Sequence, residues 1–271
     1  MPELPEAESI VRALGRTIVG RRIEKVEIFA QRLRSELKPL KLARIEGKVI
    51  VGCRRRGRYA VIDLDDSRAI VMHFGMSGVV RVEPADGLRR KHEHVLIHLD
   101  DARAVKFEDP RRFGAVEIHR LGADGWPETL QAIGVEPLSA GFTGAYLFKA
   151  SRGRKKTVKE FVMDNRIVTG IGNLYAAETL FACGISPVRR AETLTEKECS
   201  AIAREAKRIL RQAIKLGGTT VSDYRNVDGS EGKFVQKLKI YAKSVCPRCG
   251  AKVSKVTLGS RTSWYCSTCQ R

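Results

Sequence analysis

No run of about 18 apolar residues occurs anywhere in the chain, which excludes a membrane-spanning helix. The start lacks the apolar core of a secretory leader and carries Glu3, Glu6 and Glu8 instead, so a cytoplasmic protein is expected. Internal repeats and low-complexity segments are missing too, which excludes a repeat array. Acidic residues are scarce against basic ones: 31 Asp and Glu face 50 Lys and Arg, for a formal charge of +19. That imbalance calls for a polyanionic partner, with nucleic acid first. An anionic membrane surface or a ribosomal-type tail would share the sign, but here the charge is spread through apolar-patterned segments.

At 271 residues the chain suits two domains, each able to bury a core. Short β-branched runs at 25–29, 48–51, 59–64, 69–74, 79–82, 94–99, 104–107 and 115–118 read as strands. Turn chemistry such as Asp65-Asp66-Ser67 and Asp100-Asp101 separates them, and eight strands at this spacing predict a β-sandwich or barrel. From about residue 127 the pattern becomes helical. A helix over 195–216 opens with Thr195 and Glu198 in capping-box spacing and stops at Gly217-Gly218. A second, over 174–182, ends at Gly184 with Pro187 beyond. The small-residue stretch 139–145 is the expected linker. The reading is an α+β protein of two domains: an N-terminal β-sandwich with a leading helix over 1–133, a helical domain over 134–241, and a terminal hairpin module over 242–271.

The hairpin module carries Cys246-Pro-Arg-Cys249 and Cys266-Ser-Thr-Cys269, two CxxC pairs sixteen residues apart. Four thiolates so spaced can surround one structural Zn2+, and so short a segment needs the metal to fold. A disulfide pair or redox motif is the alternative, but a reducing cytoplasm favours zinc. Cys53, Cys183 and Cys199 are isolated and read as core or surface thiols. Arg261, five residues before Cys266, would sit on a metal-stapled hairpin where a guanidinium can clamp phosphate. A solvated surface arginine is the plain alternative.

Removal of Met1 would expose Pro2 as a secondary amine beside Glu3, just ahead of a predicted helix. Pro5 suits a first helical position, Ala7, Ile10, Val11 and Leu14 supply an apolar face, and Gly15 suits the stop. The helix's positive end favours the neutral, nucleophilic amine. Condensed with an aldehyde-like sugar carbon, it would give an iminium, an electron sink for elimination. The competing view is an ordinary disordered terminus. While Met1 remains, Pro2 is a tertiary amide without a nucleophilic nitrogen.

Taken together, these ends resemble the formamidopyrimidine-DNA glycosylase family. Met-Pro-Glu-Leu-Pro-Glu matches its opening. His73-Phe74-Gly75-Met76-Ser77-Gly78, Lys91-His92-Glu93-His94 and Asp109-Pro110-Arg111-Arg112-Phe113-Gly114 follow in family order. Met163-Asp164-Asn165, Gly170-Ile171-Gly172-Asn173-Leu174-Tyr175-Ala176, Gly217-Gly218-Thr219-Thr220 and the zinc hairpin complete the series, so the likeness runs almost end to end. The resemblance implies a monomeric bacterial, nucleoid-associated repair enzyme that clasps double-stranded DNA containing oxidised purine lesions in a cleft between domains. Pro2 would attack the sugar of an extruded nucleotide, Glu3 would act as acid, and Glu6 would support them. Met76, Arg111 and Phe113 would fill the vacated stack. His92, Lys155, Asn173, Tyr241 and Arg261 would contact DNA, Arg261 also serving the second elimination. Asn173 opens a helix within the family's helix–two-turns–helix element. The alternating His92 and His94 could also suggest metal, though no further ligands accompany them.

One position departs from the pattern. The family usually has lysine where this chain has Arg58, within Arg54-Arg55-Arg56-Gly57-Arg58-Tyr59. Arginine can hold phosphate or a base carbonyl but is a poor proton shuttle. The sister branch resembling endonuclease VIII prefers oxidised pyrimidines and usually has glycine where this chain has Leu4. The 217–234 stretch resembles the purine-specific capping loop. A non-catalytic DNA-binding zinc protein and an RNA-binding ribosomal accessory are the other rivals, and Pro2-Glu3 distinguishes catalysis from both.

Overall fold

Ala7, Ile10, Val11, Leu14 and Ile18 build one buried face on helix α1 (Leu4–Ile18). Glu3 is its N-cap and Pro5 sits in the first turn, where a missing N–H costs nothing. The predicted stop at Gly15 fails, because the backbone there stays helical and a Cβ would merely touch that of Cys53 at 3.7 Å. The chain instead leaves the helix at Val19 and turns at Gly20, with φ +86°.

The computed structural model describes residues 2–220, 224, 225 and 227–271. Two units emerge: unit 1 holds 1–132 and 216–233, and unit 2 holds 133–215 and 234–271.

Unit 1 contains β1 (Ile23–Ile28), a short α2 (Pro39–Ala43), β2 (Ile50–Arg56), β3 (Tyr59–Leu64), β4 (Arg68–His73), β5 (Val79–Pro84), β6 (Glu93–Leu99), β7 (Arg103–Glu108) and β8 (Ala115–Arg120). They form two four-stranded antiparallel sheets, ordered β1-β6-β7-β5 and β2-β3-β4-β8. Ile62, Ile70, Met72 and Val116 from one sheet share a core with Val80, Val95, Ile97 and Phe107 from the other, and α1 joins it. Every predicted strand is present. The largest shift is in β2, which runs through the arginines instead of ending at Val51. Carboxylates make that possible: Arg54 forks onto Asp63 at 2.6 and 2.7 Å, and Arg55 reaches Glu8 at 2.7 Å.

Unit 2 contains α3 (Gly144–Ser151), α4 (Val158–Val162), α5 (Asn173–Cys183), α6 (Glu196–Lys215) and the hairpin β9 (Ser254–Leu258) and β10 (Arg261–Tyr265). The 139–145 stretch lies inside this unit rather than acting as a linker. Thr143 caps α3 by accepting the Tyr146 N–H at 3.1 Å, and a Cβ on Gly144 would fall 2.1 Å from Ser200 Oγ. Its small residues serve close helix packing, not flexibility. At the start of α6, Thr195 and Glu198 exchange capping bonds of 3.2 and 2.8 Å. Gly184 ends α5 with φ +70°.

Residues 216–233, read from sequence as part of a helical domain over 134–241, belong to unit 1. Val221, Ser222, Asp223 and Asn226 of the capping-loop stretch lie outside the described residues. The terminal module shares a core with α5 through Ala177, Phe181, Ile240, Cys246, Val253 and Cys266. Among the described residues, no helix is long and apolar enough to cross a membrane.

Candidate functional site

Pro2, Glu3 and Glu6 are all buried at the start of α1. Glu3 and Glu6 form a reciprocal capping box, in which the Glu3 N–H donates to Glu6 Oε2 at 2.8 Å. The other oxygen, Oε1, accepts the Thr219 N–H at 2.7 Å. One carboxylate therefore joins the helix start to the 216–233 segment of the same unit. Gly218 permits the approach: its φ is +85°, and a Cβ there would fall 2.9 Å from Glu6 Oε1. Tyr224 Oη donates to the Gly217 carbonyl at 3.2 Å. Burial, and next the Glu6 charge, raises the Tyr224 pKa, so the phenol stays protonated.

Arg58 sits half-buried in the β2–β3 turn, after Gly57 with φ +58°. His73 ends β4, its ring 4.8 Å from that of Tyr59. Burial first, then the charges of Arg34 and Arg58, pushes His73 down to about 4. A neutral imidazole results, whose Nδ1 accepts the Gly75 N–H at 3.1 Å.

Two loops at the strand ends carry the expected stack-filling residues. A Cβ on Gly75 would fall 2.4 Å from the Phe113 carbonyl carbon, so only glycine lets the 74–78 loop touch the 109–114 loop. Beneath both lies Asp109, fully buried. It accepts Ser77 Oγ–H at 2.6 Å and the Gly114 N–H at 2.7 Å, and Ser77 Oγ accepts the Arg111 N–H at 3.2 Å. Its own N–H donates to the His92 carbonyl at 3.0 Å, and His94 Nε2 lies 3.0 Å from its carbonyl. Met76, His92, Arg111 and Phe113 are thus brought together. Met76 and Phe113 remain 39% and 49% exposed, and the Arg111 guanidinium stands 5.1 Å from the Phe113 ring centre. Sequence reasoning named Asp109 within the family-like run but gave it no role, since a carboxylate bound to its own fold leaves no periodic signal.

In unit 2 the four cysteine sulfurs lie within 4.8 Å of one another, with Cys249–Cys266 at 3.5 Å and Cys246–Cys269 at 3.9 Å. Tetrahedral thiolates about 2.3 Å from zinc would stand about 3.8 Å apart, so the set fits one Zn2+. It is the one group of three or more His, Cys, Asp and Glu side chains placed to hold a metal among the described residues, and neither His92 nor His94 belongs to it. Gly259 and Ser260 take φ of +51° and +63°, a tight reversal that leaves Arg261 exposed at the start of β10. Next to it, the Thr262 carbonyl accepts Asn173 Nδ2–H at 3.1 Å, tying the hairpin to the first residue of α5. Buried Lys159 adds a bond to Ser263 Oγ at 2.6 Å. The Tyr241 ring packs 4.6 Å from that of Trp264. Glu178, a second buried carboxylate to which sequence reasoning gave no role, accepts the N–H groups of Lys239, Ile240 and Tyr241 at 2.9, 2.9 and 2.8 Å. Lys155 is exposed in the loop between α3 and α4, outside this set of contacts.

Pro2, Glu3, Arg58, Met76, His92, Arg111 and Phe113 therefore belong to unit 1, and Lys155, Asn173, Tyr241, Arg261 and the four cysteines to unit 2. A buried Pro-Glu start on a β-sandwich unit, joined in one chain to a helical unit with a thiolate-stapled hairpin, defines a helix–two-turns–helix, zinc-hairpin protein. Family models agree along the chain: the formamidopyrimidine-DNA glycosylase N-terminal domain over residues 1–116, the formamidopyrimidine-DNA glycosylase H2TH domain over 133–225, and the zinc finger found in FPG and IleRS over 243–271. The formamidopyrimidine-DNA glycosylase of Stenotrophomonas maltophilia (strain R551-3) is 43% identical over 279 residues, covering 100% of both chains. The structure is similar to a Lactococcus lactis FPG mutant in complex with a Fapy-dG containing DNA, with TM-score 0.90, 30% identity and 100% coverage of both chains. It is also similar to the MutM (FPG) protein from Thermus thermophilus, with TM-score 0.88 and 33% identity over 99% of this chain and 98% of that one. The chain belongs to the formamidopyrimidine-DNA glycosylase family.

Proposed function

We propose that this chain is a bifunctional DNA glycosylase and AP lyase of base-excision repair, removing oxidised purines such as 8-oxoguanine and formamidopyrimidines from duplex DNA. It acts as a monomer in the bacterial cytoplasm, on the nucleoid. The observation that carries this reading is the buried Pro2 beside the Glu3–Glu6 capping box. With Met1 removed, the Pro2 nitrogen attacks C1′ of the extruded nucleotide, and the bond from C1′ to the base breaks. The base leaves with the electron pair and takes up a proton. Glu3 protonates O4′ as the sugar ring opens, leaving a cationic C1′=N iminium. That cation acidifies the C2′ hydrogen, whose loss expels the 3′ phosphate. A second elimination, assisted by Arg261, expels the 5′ phosphate.

Met76, Arg111 and Phe113 fill the gap left by the extruded base, the thioether as a pliable wedge and the arginine against the orphaned partner base. His92, Lys155, Asn173, Tyr241 and Arg261 hold phosphates, supported for Asn173 by its place at the amide-rich start of α5. Zinc, held by Cys246, Cys249, Cys266 and Cys269, supplies folding energy to the hairpin that presents Arg261. Arg58 binds phosphate or a base carbonyl and keeps its proton throughout.

The experiment is a single-turnover comparison of duplexes carrying 8-oxoguanine or an oxidised pyrimidine, scoring base release and strand cleavage separately. Purine excision is expected to be at least tenfold faster, and a pyrimidine preference would overturn the assignment. In the same assay Arg58→Lys is expected to shift the ratio of cleavage to base release, and an unchanged ratio would remove the role given to Arg58.

A further inference from the structure

A cavity of about 500 Å3 opens in unit 2 among the second half of α5, the middle of α6, the 3-10 turn Phe234–Lys237 and the first cysteine knuckle. Its charged lining is Arg208, Lys237, Lys239 and Arg248 against one carboxylate, Glu178. That carboxylate keeps its charge but is turned toward three backbone amides, so four cations face a single anionic side chain in the lining. Glu205 pairs with Arg208 at 2.7 Å, but neither Lys237 nor Lys239 has an ion pair among the described residues. None of these four cations has a part in the chemistry described above.

The backbone that carries these exposed side chains is fixed, and the Arg248 guanidinium is held as well. Glu178 pins the backbone of Lys239, and the turn carrying Lys237 is anchored by Phe234, whose ring packs 5.9 Å from that of Tyr175. Arg248 donates one N–H to the Ala182 carbonyl at 3.0 Å and lies 4.4 Å over the Phe181 ring. A guanidinium has five donors, so this bond leaves several for a ligand. With Arg208 already paired to Glu205, Lys237, Lys239 and Arg248 leave the lining with an excess of positive charge that an anion would offset. Cavities of a few hundred cubic ångströms accept small ligands, and forked arginines beside lysine point charges match phosphate oxygens.

We propose that this cavity is a second anion site, separate from the lesion chemistry, that takes a phosphate-bearing ligand. Two sources share that chemistry: a free di- or oligophosphate, or the backbone of DNA flanking the lesion.

The probe is inorganic pyrophosphate titrated calorimetrically into the zinc-loaded, full-length protein at moderate salt. The wild type is expected to bind one equivalent, and Lys237→Glu with Lys239→Glu is expected to weaken binding at least tenfold. A control with the same charge change, Lys197→Glu with Lys252→Glu, is expected to leave binding within twofold. Absence of saturable binding, or equal weakening by both pairs, would overturn the site. Duplex affinity then separates the sources. If flanking DNA fills the cavity, the first pair weakens a long lesion duplex far more than a short one; if a free phosphate fills it, both duplexes keep their affinity. Excision of 8-oxoguanine from the short duplex stays unchanged in either case, so failure of this site is distinguishable from failure of the repair function.

Discussion

At the scale of single residues, unit 1 gains its order from carboxylates that are buried yet fully engaged. A buried carboxylate is costly unless hydrogen bonds stabilise its charge. Asp109 and Glu6 each accept from chain segments distant in sequence, so each fixes the geometry of residues other than itself. His73 shows the opposite solution, giving up its charge instead. Its folded value near 4 lies below the ordinary 6.5, so between those limits the unfolded chain binds the extra proton. His73 therefore has no effect on stability above about 6.5 and lowers it progressively as pH falls from there toward about 4. Urea midpoints for wild type and His73→Asn at about pH 7.5 and about pH 5 check this. The wild type is expected to lose about 2 kcal/mol more than the variant on acidification. Equal losses would show that the imidazole keeps its proton when folded.

At the scale of elements, the β9–β10 hairpin depends on its metal more than on its core. Two short strands are marginal alone, while a four-thiolate zinc site contributes about 10–16 kcal/mol in isolated peptides. Stripping zinc is expected to release the hairpin from Asn173, Lys159 and Tyr241 while both four-stranded sheets persist. Trp264 fluorescence and far-UV circular dichroism would report the two events separately. DNA affinity should fall at least tenfold; unchanged affinity would remove the hairpin from the interface. The sequence makes the strands and this hairpin legible because alternation and paired CxxC spacing are local signals. It hides what depends on partners elsewhere. The arginines of β2 disguise a strand because their partners are set by folding: Asp63 lies across the hairpin on β3, and Glu8 lies 47 residues away on α1. Gly15 and the 139–145 stretch look like breaks, yet one continues a helix and the other packs against α6. The bracing roles of Asp109 and Glu178 stay hidden for the same reason, since their partners are brought near only by folding.

For the whole molecule, the governing quantity is charge. A net +19 favours any polyanion, and counterion release makes such binding steeply dependent on salt. If about four cationic side chains contact phosphates, affinity for a lesion duplex should fall about a hundredfold between roughly 50 and 200 mM salt. Fluorescence anisotropy over that range tests the point, and a change under threefold would contradict a phosphate-gripping surface. Charge alone, however, cannot separate an enzyme from a protein that merely holds DNA. That distinction rests on Pro2, whose nitrogen becomes a nucleophile only after Met1 is removed.

Borohydride added to mature protein and an 8-oxoguanine duplex tests this most directly, because hydride converts the iminium at C1′ into a stable amine. A covalent protein–DNA adduct attached through the N-terminal proline is expected, and Pro2→Gly should reduce its yield together with base release. If the mature protein gives no adduct, or if Pro2→Gly releases base and cuts the strand as fast as wild type, covalent catalysis by the N-terminal amine is wrong.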